Sequence, residues 1–259
     1  MIFAALPLIF ALTALPAAAP TGTEVDVELV LAVDMSGSMD IEEARVQKAG
    51  YVEALRHPEF LEAATGGLTG RIALSYVEWA GTVNPASLVE WRVIANAADA
   101  EAFAREIEAR PTATRRGTSI SNALDFATRL IVDNAYSGLR RVIDVSGDGP
   151  NNLGPPVVPA RDAAVRSGVV VNGLAIMLRP SGSASGPPLD RYYADCVIGG
   201  PGAFVLPVQR AEDFAIAIRQ KLVLEVSGLA PKPSVVPIIG MQTSDCLIGE
   251  KLRPSFLDR

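Results

Sequence analysis

The sequence predicts an α/β protein: a doubly wound, mostly parallel central sheet flanked by helices, with one antiparallel edge strand. Three observations lead there. Segments dense in β-branched residues alternate with segments of helical periodicity along most of the chain. The first of them, 25–34 (VDVELVLAVD), becomes continuously apolar toward its end, as a strand covered on both faces of a parallel sheet does. The segments 71–80 and 87–94 are joined by residues 81–86 alone, short enough for a hairpin, so that pair is antiparallel.

The remaining elements follow in order. Residues 40–56 have helical patterning and stop at His57-Pro58, a helix breaker. A helix near 99–109 ends before Pro111. The clearest helix follows, with Ile120, Ala123, Leu124, Ala127, Leu130 and Ile131 on one face. Residues 140–146 (RRVIDVS) read as a buried strand, 157–168 as a helix and 169–177 as a strand. The composition of 180–188 (PSGSASGPP) is that of a loop, leaving a strand's carboxyl end. A short helix over 189–198, a last strand over 203–208 and a closing helix over 209–226 complete the domain. Phe214, Ile218, Leu222 and Val226 stripe that final helix. From Ser227 onward, Pro231, Pro233, Pro237 and Pro254 argue against long regular structure. The chain thus divides into a leader (1–19), one domain (25–226) and an irregular tail (227–259).

The leader, MIFAALPLIFALTALPAAAP, is apolar, uncharged and ends in small residues. That is the form of a secretory signal peptide with an A-x-A-like cleavage site at Ala17-Ala18-Ala19. Its apolar part is shorter than the roughly 20 residues that span a bilayer. Export to the periplasm or medium is expected, a retained N-terminal membrane anchor being the alternative. Two cysteines, Cys196 and Cys246, then allow one disulfide in an oxidising compartment, tying the tail to the helix at 189–198. The net charge of −6 argues against a nucleic-acid-binding face.

Candidate chemistry sits where strands end, because ligands of open α/β sheets bind at the carboxyl ends of the strands. Three turns qualify: Asp34-Met35-Ser36-Gly37-Ser38, Arg116-Gly117-Thr118-Ser119 and Ser146-Gly147-Asp148-Gly149. Together they offer hydroxyls and carboxylates with no histidine or cysteine, the oxygen donor set of a hard cation such as Mg²⁺. Gly37 lets its loop fold tightly. Each turn also has a plain reading. Asp34 and Ser38 are good caps for the following helix, Thr118 or Ser119 for the next, and Asp148-Gly149 is an ordinary turn pair.

The order and spacing of these turns add a resemblance. Asp34-Met35-Ser36-Gly37-Ser38 resembles the D-x-S-x-S signature of von Willebrand factor A domains. Thr118 is similar to that family's isolated threonine, and Asp148 to its strand-end Asp-Gly. The segments YVEWAG and DCVIGGPGAFV resemble exported bacterial proteins of that type whose function is unknown. The resemblance spans about residues 25–226 and implies a metal-ion-dependent adhesion site (MIDAS). In it Ser36, Ser38 and Thr118 would ligate a divalent cation, Mg²⁺ first and Mn²⁺ or Ca²⁺ as alternatives. Asp34 and Asp148 would act largely through water, and the ion would capture a Glu or Asp carboxylate of a partner protein.

Enzymes are poorly supported. Ser36 stands where a haloacid-dehalogenase-type phosphotransferase needs its second aspartate, and neither a G-x-S-x-G elbow nor a phosphate-binding G-x-x-x-x-G-K-[ST] loop is present. The single histidine, His57, is expected at the surface, leaving nothing to complete a Ser-His-Asp triad or a zinc site. A metal-dependent hydrolase and a structural component of the cell envelope remain as alternatives. Arg115 and Arg116 flank Thr118 and could steer an acidic ligand, or be solvated. Trp79 and Trp91 are expected in packing roles.

Overall fold

A computed structural model describes residues 22–37, 41–178, 187–229 and 244–257, with the side chains of 253–257 excepted. The leader, Ser38, most of the 180–188 loop and residues 230–243 lie outside the described residues. The strands are β1 (Thr23–Asp34), β2 (Ile72–Trp79), β3 (Val83–Ile94), β4 (Tyr136–Gly147), β5 (Val170–Ile176) and β6 (Val205–Val208). The helices are α1 (Ile41–Arg56), α2 (Pro58–Thr65), α3 (Ala97–Ala109), α4 (Ile120–Val132), α5 (Val157–Arg166), α6 (Leu189–Tyr192), α7 (Phe214–Ser227) and α8 (Ile248–Leu257).

The six strands form one sheet in the order β3-β2-β1-β4-β5-β6. Every pairing is parallel except β2 with β3. This is the expected class, with its antiparallel strand at an edge. Strand β1 lies at the centre and alternates its side chains between two cores, as the period of two requires. Val27, Leu29, Leu31 and Val33 face Tyr51 and Leu55 of α1, Phe103 of α3, and Phe214, Ile218 and Leu222 of α7. Val30 and Ala32 belong to the opposite core, with Ile120, Leu124, Ala127 and Ile131 of α4 and Val157 and Ala164 of α5. All these side chains are buried, so the apolar run in β1 reflects cover on both faces.

Several boundaries differ from the sequence reading. Strand β3 begins at Val83, so most of the expected connection is strand and only three residues separate it from β2. Pro58 starts a second helix instead of only ending the first, since proline suits a helix's opening turn. His57 is half-buried rather than a surface residue. Its Nδ1 accepts the Glu59 N–H at 3.3 Å as the N-cap of α2, and its Nε2 lies 3.1 Å from the Arg219 guanidinium. Residues 193–197 wind as a π-helical turn continuing α6. The tail contains the ten-residue α8, which begins after Pro231, Pro233 and Pro237 and includes Pro254. Trp79 is buried, and half-buried Trp91 donates its ring N–H to the Leu130 carbonyl at 3.1 Å, so both pack as expected. Among the described residues no helix is long and apolar enough to cross a membrane.

Candidate metal centre

The sheet order sets the place of the site. From β1 the chain moves to β2 on one side, then returns to β4 on the other. The crevice between the carboxyl ends of β1 and β4 is therefore the topological switch point. Val33 of β1 pairs with Ser146 of β4, so Asp34 and Asp148 follow adjacent strand ends.

Asp34 is fully buried. Its Oδ1 accepts the Ser36 N–H at 2.7 Å, which curls the chain into a tight turn just past the strand. Its Oδ2 is also buried and has no hydrogen-bond partner. The Ser36 hydroxyl lies 3.4 Å from Asp148 Oδ1, a long bond that ties the first turn to the third. Burial pushes the Asp34 carboxyl well up, the nearby Asp148 charge adds to this, and Ser36 opposes it. A fully buried carboxyl and a half-buried one thus lie close together, with one oxygen of the first left unsatisfied. Such a group can hold a cation, and oxygen-only donors fit a hard one.

The second turn is sewn in by backbone. Met35 donates to the Trp79 carbonyl at 2.7 Å, and Arg115 donates to the Met35 carbonyl at 2.9 Å. Gly81 donates to Arg116 (3.2 Å) and Ser119 to Ala80 (2.9 Å), locking this turn onto the end of β2. Gly117 takes φ of +81°, a conformation that favours glycine, in closing it. Gly37, by contrast, has an ordinary φ, and a Cβ there would meet only an ordinary contact, 3.4 Å from the Arg115 carbonyl, so the expected need for glycine does not show at this position. Arg115 is exposed and gives Nη2 to Asn84 Oδ1 at 2.9 Å.

Capping does not account for Asp34 or Thr118. Asp34 bonds its own turn, and Ser119, not Thr118, caps α4 by accepting the Asn122 N–H. The Thr118 N–H goes to Asn152 Oδ1 at 2.9 Å, and its carbonyl receives the N–H groups of Asn152 and Leu153. Thr118 is a buried residue, and its hydroxyl enters none of these bonds. Asp34, Ser36 and Asp148 are thus in mutual reach, and Thr118 is fixed in a turn bonded to both neighbouring loops. Among the described residues no group of three or more His, Cys, Asp or Glu side chains is placed to hold a metal. The gathered donors are instead two carboxylates supplemented by hydroxyls.

Three contributors escaped the sequence reading. Asn151 and Asn152 brace the turns from the loop after β4. Their signal was legible as two consecutive amides just beyond Asp148. Tyr193 had no local signal. Its buried hydroxyl has no hydrogen-bond partner. A Cβ on Gly147 would stand 2.5 Å from that hydroxyl and 2.9 Å from Asp34 Oδ2, so both groups crowd the same glycine. Beneath them Gln47 of α1 donates to the Ser146 hydroxyl at 2.9 Å.

No curated protein matches the sequence. Solved structures do match its fold. Proximal thread matrix protein 1 from the mussel byssus, with a zinc-occupied MIDAS motif, aligns with a TM-score of 0.58 at 15% identity, covering 80% of this chain and 49% of that one. The von Willebrand factor type A protein from Catenulispora acidiphila aligns with a TM-score of 0.54 at 17% identity, covering 78% and 43%. The pilus adhesin SpaC from Lactobacillus rhamnosus GG aligns with a TM-score of 0.59 at 14% identity, covering 79% and 31%. The chain spans about half the length of the byssus protein and less of the other two. The fold is therefore that of a von Willebrand A domain, and since residues 24–230 match the family model described as "Protein of unknown function (DUF1194)", the chain belongs to that family.

Proposed function

We propose that the chain is an exported binding module that uses a divalent cation to grip an acidic side chain of a partner protein. One observation carries the reading: Asp34 is buried beside Asp148 and Ser36 at the switch point of the sheet, with one carboxylate oxygen unsatisfied. Asp34, Ser36, Ser38, Thr118 and Asp148 would hold the ion. All five offer oxygen, which favours Mg²⁺, with Mn²⁺ and Ca²⁺ as alternatives. A bound cation supplies positive charge and an open coordination position for a carboxylate. The protein's part is to hold the turns fixed: Asp34 curls the first, Ser36 links it to Asp148, and Asn152 pins Thr118. The likeness in fold to a byssus matrix protein and a pilus adhesin supports adhesion over turnover. So does the position of His57, which caps α2 and is in contact with Arg219, leaving the crevice without an imidazole base. In this reading residues 1–19 direct export, 25–226 form the binding domain and 227–259 its tethered tail.

The test joins metal binding to partner capture. Mg²⁺ and Mn²⁺ are titrated calorimetrically into wild type, Asp34→Asn and Ser36→Ala/Ser38→Ala, and envelope fractions are probed with each protein with and without a chelator. Wild type binds one ion and retains a partner that the chelator releases; the variants lose both. Asp34→Asn is also more stable than wild type in chelator, by about 1–2 kcal/mol in urea unfolding, because the cost of burying this carboxyl beside Asp148 is gone. Equal ion binding by wild type and variants overturns the reading. Turnover of ester or phosphoester substrates by the wild-type protein overturns its non-enzymatic part.

A further inference from the structure

Residues 244–252 lie beyond the stretch matched by the family model, and they contact both the π-helical turn and the loop that carries Asp148. Cys246 is bonded to Cys196 in the π-helical turn, with the two Cα atoms 5.5 Å apart. Ser244 reinforces this anchor, donating its N–H and hydroxyl to Asp195 at 2.9 and 2.8 Å. From there the chain turns into α8, whose first residues press on the loop after β4. Gly249 is buried against the Asn151 carbonyl so closely that any Cβ would overlap it. Glu250 Oε1 accepts the side-chain N–H of Asn151 at 2.8 Å.

Asn151 is the hub of this contact. It is fully buried and every polar atom of its side chain is engaged. Its Nδ2 also reaches the Pro155 carbonyl (3.0 Å), and its Oδ1 takes the Ser121 N–H in the first turn of α4 (3.1 Å). Its backbone N–H donates to the Tyr192 hydroxyl at 3.2 Å. The next residue, Asn152, grips Thr118 from both sides of its peptide. A continuous path therefore runs from the tail through Asn151 to the two turns that bear Asp148 and Thr118. Glu250 Oε2 is buried and without a hydrogen-bond partner, a cost that stability alone does not explain.

We infer that the disulfide-tethered segment 244–252 is a strap that positions the 148–152 loop and Thr118, and so sets the cation affinity of the site. The inference rests on the cation-site reading above. Glu250 and Gly249 are positioning residues: they touch no ligand, and act by holding Asn151 where it fixes the turns. Supports of this kind change metal affinity about tenfold or more when removed.

The experiment uses the full chain and Mn²⁺ as probe. Affinity is measured by electron paramagnetic resonance for wild type, Glu250→Ala, Glu250→Gln, Glu250→Leu, Gly249→Val and Cys196→Ser/Cys246→Ser. Hydrogen exchange at the amides of Thr118, Asn151 and Asn152 is followed in metal-free protein. Glu250→Ala, Gly249→Val and the double serine variant are expected to bind Mn²⁺ about tenfold more weakly and to exchange faster at those amides. Glu250→Gln keeps the acceptor for Asn151 and is expected to match wild type, whereas Glu250→Leu keeps the bulk without the acceptor and is expected to bind as weakly as Glu250→Ala, which loss of tail packing alone would not give. If wild type binds Mn²⁺ and the cooperatively folded variants bind it equally well, the strap is overturned while the cation site stands. If wild type binds no Mn²⁺, the cation-site reading falls and the strap's effect on affinity falls with it.

Discussion

Gly147 lies where the last residue of β4 meets two groups that lack partners. A methyl there would meet the Tyr193 hydroxyl at 2.5 Å and Asp34 Oδ2 at 2.9 Å, with a rigid ring behind one and a buried strand behind the other. Gly147→Ala is therefore expected to destabilise the protein by about 1–3 kcal/mol, as overpacked cores do. Tyr193→Phe removes a buried hydroxyl that bonds to nothing, and should be neutral or slightly stabilising. Urea unfolding of the two variants beside wild type checks both. At this scale the sequence was partly readable. An apolar run that stops at an acid marks Asp34, and the spacing of hydroxyls marks Ser36. Tyr193 reaches the same place only because the π-helical turn after α6 packs against β5, its ring crossing Gly173 so that its hydroxyl arrives at Gly147, a long-range contact that no local pattern encodes.

Helix α7 shows what apolar periodicity conceals. Phe214, Ile218, Leu222 and Val226 form its buried stripe as the spacing predicts, but Lys221 and Glu225 are buried beside them. Lys221 pairs with Glu225 and, at 2.5 Å, with Asp144 of β4; Tyr51 of α1 faces Asp144, and Asn172 of β5 donates to Glu225. Arg140 bonds the carbonyls of Glu225 and Val226. Charged letters read as solvent-facing unless their partners are known, and these partners come from three other elements. Burial, with Asp144's charge behind it, pushes the Glu225 carboxyl up to about 8, against the pull of Lys221. The folded state thus holds a proton that the unfolded chain releases near the ordinary value of 4.5. The stability this gives is full below that value and is lost as pH rises through about 8. Denaturant unfolding from pH 5 to 9 should show this decline, and Glu225→Gln should make it shallower, Asp34 and Asp144, also pushed up by burial, keeping the remainder. The same interplay of pattern and partners explains the tail. Its prolines were visible, whereas α8 depends on contacts with the loop after β4.

Across the whole molecule, the strand–helix alternation made the fold class legible, and the hairpin predicted the one antiparallel pair. The position of β1 between β2 and β4 was not legible, because order in a sheet is settled by crossovers and packing. The Cys196–Cys246 bond links residues 50 apart, and replacing both by serine is expected to cost about 2–4 kcal/mol in urea unfolding through the looser unfolded chain. The two outermost strands share a further property. Each contains a proline, Pro85 in β3 and Pro207 in β6, and none of the four strands between them does. Proline has no N–H to offer a new neighbour, β6 is only four residues long, and the register of β3 is broken by a bulge. Neither rim of the sheet is a good template for an added strand, so the domain resists runaway end-to-end stitching into fibrils even at high concentration.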